Sequence, residues 1–392
     1  MATYLPSEVI TVIFSFLPTP SLLRFRTVSK SLRSLIDSRH FISLHLSNSQ
    51  STSLILCHQT DLYNLNLKTL PTAPVLLNHP LMCYSHRITL LGSCNGLLCI
   101  SNVADDIAIW NPSLRKYRIL PSLNHDRRRN NTLLAARVYG FGCDDSTNDY
   151  KLVRISYYVD LQDSSFDSQV KVYSSRTNSW NILPSMNYAL CCARSMGVFV
   201  HGYLHWVVRR KLEPDQPDLI VAFDLRFEKF VEVPLPEKTE TSNDDDLDFE
   251  IEVAELGGCL CMIKNYRKKR IDVFVMREYG LRGSWCKLFA LGESRDFRSL
   301  KSVRPLGYSS DGSKVLLEHN RRKMFWYDLK SEEIDYVRIP GLRYYVEGMI
   351  CEGTLVSPTV LSDNCRRQHD LGVQNAKKRR DDFLSQGFKL TL

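Results

Sequence analysis

Two histidines four residues apart, His201 and His205, are the side chains in this 392-residue chain that most resemble a metal pair. On a helix that spacing puts both imidazoles on one face, as zinc hydrolases require. Here they belong to an apolar alternating run, Tyr203-Leu204-His205-Trp206, which reads as a strand. Four residues along a strand separate two side chains by about 13 Å. Both point to one face, one toward the core and one toward a rim, and they do not make a ligand pair. The 12 cysteines form no C-x-x-C pair and no matched Cys/His clusters with zinc spacing. Cys191-Cys192 and Cys259-x-Cys261 come nearest, and neither is a usual ligand pair. Asp144, Asp145 and Asp149 fall in a loop rich in Gly, Ser and Asn and read as turn chemistry. Asp244-Asp245-Asp246 reads as a solvated linker. There is no P-loop, no dinucleotide fingerprint and no nucleophile elbow. The expectation is a non-enzyme with no catalytic residue, no metal and no cofactor.

Charge gives the same answer. Lys and Arg number 51 against 43 Asp and Glu, a net charge of +8. Basic clusters occur at Arg127-Arg128-Arg129, Arg209-Arg210-Lys211, Arg267 to Arg270 and Arg321-Arg322-Lys323, mostly in loops between strands, where solvated charge is expected. They are not interleaved with aromatics as in a nucleic-acid binder, so no nucleic-acid partner is expected. Lys377, Lys378, Arg379 and Arg380 differ because they lie on a tail beyond the last repeat. They read as a nuclear import signal, on a tail that Phe383, Leu384 and Phe388 can pack against a rim. The start, Met1 to Leu17, lacks a basic n-region and a cleavage site. Free thiols without a secretory signal point to cytoplasm and nucleus. The longest apolar run, Val9 to Leu17, is about half of the roughly 20 residues a spanning helix needs. No membrane insertion is expected.

The elements that carry these residues divide in two. Leu5-Pro6-Ser7-Glu8 opens a helix, with Pro6 at or before the first turn, Ser7 as the cap and Glu8 near the positive end of the dipole. Val9, Ile10, Val12, Ile13, Phe14, Phe16 and Leu17 follow, and Pro18 and Pro20 stop the run. A second helix begins near Ser21, and a third includes Val28, Leu32, Leu35 and Ile36. The first helix is apolar nearly all round, whereas packing on its own module needs one stripe. Three short helices bury too little area to cover the rest. The main domain or a foreign chain must do so.

From about Leu54 the chain alternates short β-rich runs with turns at a period of roughly fifty residues, the scale of a four-stranded propeller blade. Gly-ended turns precede strands at Asn95-Gly96, His201-Gly202, Gly257-Gly258, Asp311-Gly312 and Glu352-Gly353. Second hairpins run from Trp110 to Tyr117, Tyr173 to Trp180, Phe223 to Phe230, Phe274 to Trp285 and Trp326 to Tyr336. Pro121, Pro184, Pro234 and Pro340 close four units, at edges that tolerate proline. Leu62 to Leu67 reads as a second hairpin lacking its first, and Tyr344 to Ser357 as a first lacking its second. Together they make a composite blade that closes the ring without a free edge. The expected fold is mainly β with a small all-α N-terminal module: three helices over 1–47, an approximately six-bladed β-propeller over 54–358 and a tail over 359–392.

Leu5-Pro6, Leu17-Pro18, Ser21 to Arg26, Val28-Ser29-Lys30, Leu35-Ile36, Phe41-Ile42 and His45-Leu46 closely resemble the plant F-box pattern. Leu32 departs from it, since the family often has Trp there. Gly92-Ser93-x-Asn95-Gly96-Leu97, Trp110-Asn111-Pro112-Ser113, Tyr139 to Gly142, Asp149 to Val153 and Gly202-x-Leu204-His205-Trp206 resemble the kelch-like F-box-associated domain. The resemblance implies docking on a Skp-type adaptor, and through it a cullin, by Leu5, Pro6, Ile10, Ile13, Phe14, Leu17, Pro18, Leu22 and Leu23. It implies a substrate-recognition subunit of an E3 ubiquitin ligase that recruits protein targets for degradation. The 378–390 end resembles one plant subgroup that restrains immunity by degrading nucleotide-binding leucine-rich-repeat receptors. Substrate-binding residues are not legible. Converging carboxylates or a histidine cluster at the ring's mouth would favour a propeller-fold enzyme or carbohydrate-binding lectin instead.

Overall fold

The computed structural model describes residues 6–48, 52–81, 87–123, 132–160, 162, 165–191, 196–211, 217–236, 249–266, 270–292, 302–342 and 347–359. Leu5 and the tail stretch Lys377 to Arg380 lie outside them. The chain folds as four N-terminal helices followed by a six-bladed β-propeller.

Helix α1 spans Ser7–Ser15, α2 Thr19–Phe25, α3 Lys30–Ile36 and α4 Arg39–Asn48. The fourth helix was not expected from the sequence. Only Phe41 and His45 of it are buried, so its apolar stripe is thin. Pro6 stands at the N-cap of α1, and Ser7 is the first helical residue; its hydroxyl donates to Glu8 rather than capping. Pro20 does not stop the first helix. It lies in the first turn of α2, where the missing N–H has no cost. Val28 falls outside α3, whose cap is Ser29, accepting from the Leu32 N–H. Helix α4 returns along α1: His45 Nε2 meets the Leu17 carbonyl at 3.0 Å, and the Asn48 amide donates to Ser15 Oγ at 2.9 Å.

Each blade is an antiparallel sheet, and in blades two to six the strands follow chain order from the channel outward. Blades two to six occupy 89–119, 132–183, 189–233, 250–292 and 303–337. Blade one is composite, but its halves are unequal. Glu347–Glu352 from the C-terminal side pairs with Thr52–His58, which pairs with Asp61–Asn66 and then Val75–Leu77. One strand closes against three, where two against two were expected, and the ring starts at Thr52 rather than 54. Thr354-Leu355-Val356 is not a strand. It forms a strap past the end of the closing strand, and the Asn111 amide donates to the carbonyls of Thr354 (3.1 Å) and Val356 (2.7 Å).

Blades are fastened to one another as well as packed. Trp180 Nε1 of blade three donates to the Pro121 carbonyl after blade two, and Trp285 Nε1 of blade five to the Pro234 carbonyl after blade four. Lys151 reaches from blade three to the Leu225 carbonyl and to Glu228 of blade four. The helices rest on the ring through one apolar cluster. Leu22, Ile36 and Phe41 from the helices are buried with Leu355 of the strap, and Leu114 packs against them. Among the described residues no helix is long and apolar enough to cross a membrane.

Candidate functional site

The apolar surface of α1 resolves into two stripes. Ile10, Phe14 and Leu17 face inward; Phe14 and Leu17 pack on the module's core, and the Phe14 ring lies 4.9 Å from that of Phe25. Val9, Val12, Ile13 and Phe16 lie three and four residues apart on the outer face and are exposed, Val12 at 54% and Phe16 at 60%. Phe25 and Val28 are exposed too. An unpartnered apolar stripe of this kind marks an interaction surface, since isolated apolar residues are ordinary but a contiguous row is not.

The sequence-derived docking residues divide across these stripes. Ile13 is on the exposed stripe, and Pro6 and Pro18 are exposed. Ile10 is half-buried, and Phe14, Leu17 and Leu23 are half-buried against the module's core. Leu22 is 0% exposed and is a core residue, with no surface to offer a partner. Val9, Val12 and Phe16, exposed on the outer stripe, were not among the sequence-derived docking residues. Their 9-12-13-16 spacing was the available signal, hidden because the inner stripe is equally apolar.

His201 and His205 do not form a strand pair. His201 is in the turn ahead of Tyr203–Arg209 with φ +50°, and both rings approach Tyr279 of the next blade. His205 is buried. Its Nδ1–H donates to the Val198 carbonyl at 2.8 Å, because that oxygen can only accept, and its Nε2 accepts from the Tyr279 hydroxyl at 2.7 Å. Both ring nitrogens are thereby used, which leaves no lone pair for a metal. Burial lowers the imidazole pKa to about 4. Among the described residues no group of three or more His, Cys, Asp or Glu is placed to hold a metal. Asp144 bonds its own turn, accepting from Ser146 and Thr147, while Asp149 holds the next hairpin turn of the blade, accepting from Ser174, Ser175 and the Arg176 N–H.

A cavity of about 230 Å³ lies in the channel, where the inner strands of the blades converge. Glu252, Glu255, Glu318 and Glu347 line it with Arg304 and Arg321, and Ser302 is beside them. Arg304 pairs with Glu318 at 2.8 Å and donates to the Gly348 carbonyl, while the Gly348 N–H donates to Glu318 at 3.1 Å. Ser302 donates to Glu252 at 3.3 Å. Burial holds the carboxyls of Glu252, Glu255 and Glu347 above the usual carboxylate range; the charge of Arg304 partly opposes this at Glu347.

Helices with an outward apolar stripe, set on a propeller by a small shared core, define a two-part docking protein. A model of the F-box domain matches residues 3–44, and one of the F-box associated beta propeller domain matches residues 47–355. The chain belongs to the F-box proteins that carry an F-box-associated propeller. It is 34% identical to F-box protein CPR1 of Arabidopsis thaliana over the full length of both chains. It is 30% identical to F-box protein At4g22390 of the same plant over 99% of each chain. F-box/kelch-repeat protein At3g23880, also from that plant, is 28% identical over 91% of this chain and 96% of its own.

Proposed function

We propose that the chain is the substrate-recognition subunit of a Skp–cullin–F-box ubiquitin ligase and performs no chemistry itself. The observation that carries this reading is the exposed stripe Val9, Val12, Ile13 and Phe16, with Phe25 and Val28 also exposed, on a module whose own core of Leu22, Ile36 and Phe41 is already filled. An apolar helix face of this kind is covered by the groove of a partner. Each such side chain contributes about 1.5–3 kcal/mol when fully buried. The adaptor brings the cullin, and the ring holds the target near the charged enzyme, where proximity raises effective concentration. By the resemblance of the C-terminal end, the targets are nucleotide-binding leucine-rich-repeat immune receptors and the outcome is restraint of plant defence. The protein works in cytoplasm and nucleus, with Lys377 to Arg380 as the import signal.

The test is a Skp-type adaptor pull-down with Phe16→Asp and Val12→Asp. Both side chains are exposed, so the module stays folded while adaptor capture falls at least about tenfold. Leu17→Asp is the poorer probe, because Leu17 packs on the module's own core. Capture at the wild-type level by a folded Phe16→Asp protein sinks the assignment.

One observation favours a second reading, a propeller-fold enzyme or carbohydrate-binding lectin: carboxylates do converge in the channel. Glycan binding or turnover lost on Glu347→Gln would support that reading over the first.

A further inference from the structure

The two ends of the closing strand Glu347–Glu352 face opposite sides of the ring. Leu355, just past one end, packs on the helices. Glu347 begins the strand, about 17 Å from its Glu352 end at a rise of ~3.3 Å per residue. Glu347, Glu252, Ser302 and Arg304 all lie at or near the starts of inner strands or just before them, so they gather at the channel mouth on the face away from the helices.

Charges at that mouth are unevenly satisfied. Arg304 is committed to Glu318 and to the Gly348 carbonyl. Glu252 has one weak hydroxyl donor, Ser302. Glu347 is part-buried and lines the cavity; among the described residues no hydrogen bond or ion pair reaches its carboxyl, and the charges of Arg304, Arg321 and Arg87 act on it from farther off. Arg321 is exposed at the rim, where water screens it. A part-buried carboxylate with no fixed protein donor is open to a charge-assisted hydrogen bond from an incoming cation. The volume, about 230 Å³, is below the roughly 300–1,000 Å³ of sites for whole small molecules. It suits one long side chain entering from a protein.

We propose that this mouth receives a cationic side chain, a guanidinium or ammonium, of the protein target, seated between Glu347 and Glu252. The assignment rests on the substrate-receptor reading and deepens it. The ring face away from the adaptor grips the target by a single basic anchor.

The test uses the full chain bound to a Skp-type adaptor. Capped tripeptides Gly-Arg-Gly, Gly-Lys-Gly, Gly-Gln-Gly and Gly-Glu-Gly are titrated by calorimetry and by methyl-labelled NMR of Met349 and Ile350, which also line the cavity. The arginine or lysine peptide binds saturably and the neutral and acidic ones do not. Glu347→Gln weakens that binding at least about tenfold, the loss of one charge-assisted bond. Glu252→Gln weakens it less, and both variants melt as cooperatively as wild type. Saturable binding of the glutamate or glutamine peptide, no saturable binding by either basic peptide, or undiminished binding by folded Glu347→Gln each overturns the proposal. Adaptor capture is scored in the same samples. Its loss in the wild-type chain would sink the receptor reading alone, and peptide failure with adaptor bound would sink the channel assignment alone.

Discussion

Side chains that resembled chemistry in the sequence turn out to fasten the ring. His205 is the clearest case. The neutral ring, protonated at Nδ1, joins the Val198 carbonyl to the Tyr279 hydroxyl across two blades. A proton on Nε2 would force the Tyr279 hydroxyl to turn and accept, and would place a charge in the core. The folded chain therefore binds this proton more weakly than the unfolded chain, with a pKa of about 4 against 6.5. A histidine depressed in this way contributes its full stability above pH 6.5 and loses it as pH falls toward 4, by about 3 kcal/mol in all. Imidazole NMR titration should find His205 still neutral at pH 5, while unfolding midpoints in urea decline across that window. Protonation of His205 in the folded state near pH 6 would contradict the arrangement. The docking residues show where residue-level reading stops. Composition showed that α1 has more apolar surface than its module can bury, but not which stripe turns outward. That depends on α4, whose His45 and Asn48 fix the inner side of α1 and whose weak periodicity left it unread.

At the scale of elements, repeat spacing and turn glycines located the blade hairpins because a two-residue hairpin demands positive φ and leaves a mark in the sequence. The unequal split of blade one was not legible, since strand partners from opposite ends of the chain carry no local signal. The strap was misread as a strand for a related reason: its alternation, Thr354-Leu355-Val356, serves to place Leu355 in the helical core. Two motif residues, known from sequence only as turn and repeat markers, hold it. Asn111 is buried and bonds Thr354, Val356 and the Leu114 N–H. Gly96 has φ +73°, and a Cβ there would lie 2.5 Å from the Glu352 carbonyl oxygen and 2.2 Å from Thr354 Cγ2. Gly96→Ala therefore combines a left-handed backbone cost of about 1–2 kcal/mol with displacement of the strap. Asn111→Ala leaves buried carbonyls unpaired at about 1–3 kcal/mol each. Both variants should lower the melting temperature by several degrees, whereas Gly202→Ala, with open space around its Cβ, pays the backbone cost alone. Equal melting of Gly96→Ala and Gly202→Ala would show that the strap does not press on that turn.

For the whole molecule, ring closure and helix placement are one structural event. The strand that closes the propeller, Glu347–Glu352, continues directly into the strap that completes the helical core. Helices this few bury too little area to be stable alone, and their buried set, Leu22, Ile36 and Phe41, is finished by Leu355 from the other end of the chain. The orientation of the exposed α1 stripe relative to the channel mouth is thus set by the ring, which under the proposed receptor function would fix the reach between target and ligase. Leu355→Asp tests this coupling, because it puts a charge into the shared core without touching the closing strand's pairs. A buried leucine lost to a smaller or charged group costs about 2–5 kcal/mol, and that cost falls on the helices first. Hydrogen exchange should speed up at least about tenfold across α2 to α4 while the strands of blades three to five keep their protection. Adaptor added in excess should restore slow exchange, since covering the outer stripe stabilises the folded helices by mass action. If exchange rises equally in the helices and in all the blades, the strap serves ring closure alone and the helices are placed by something else.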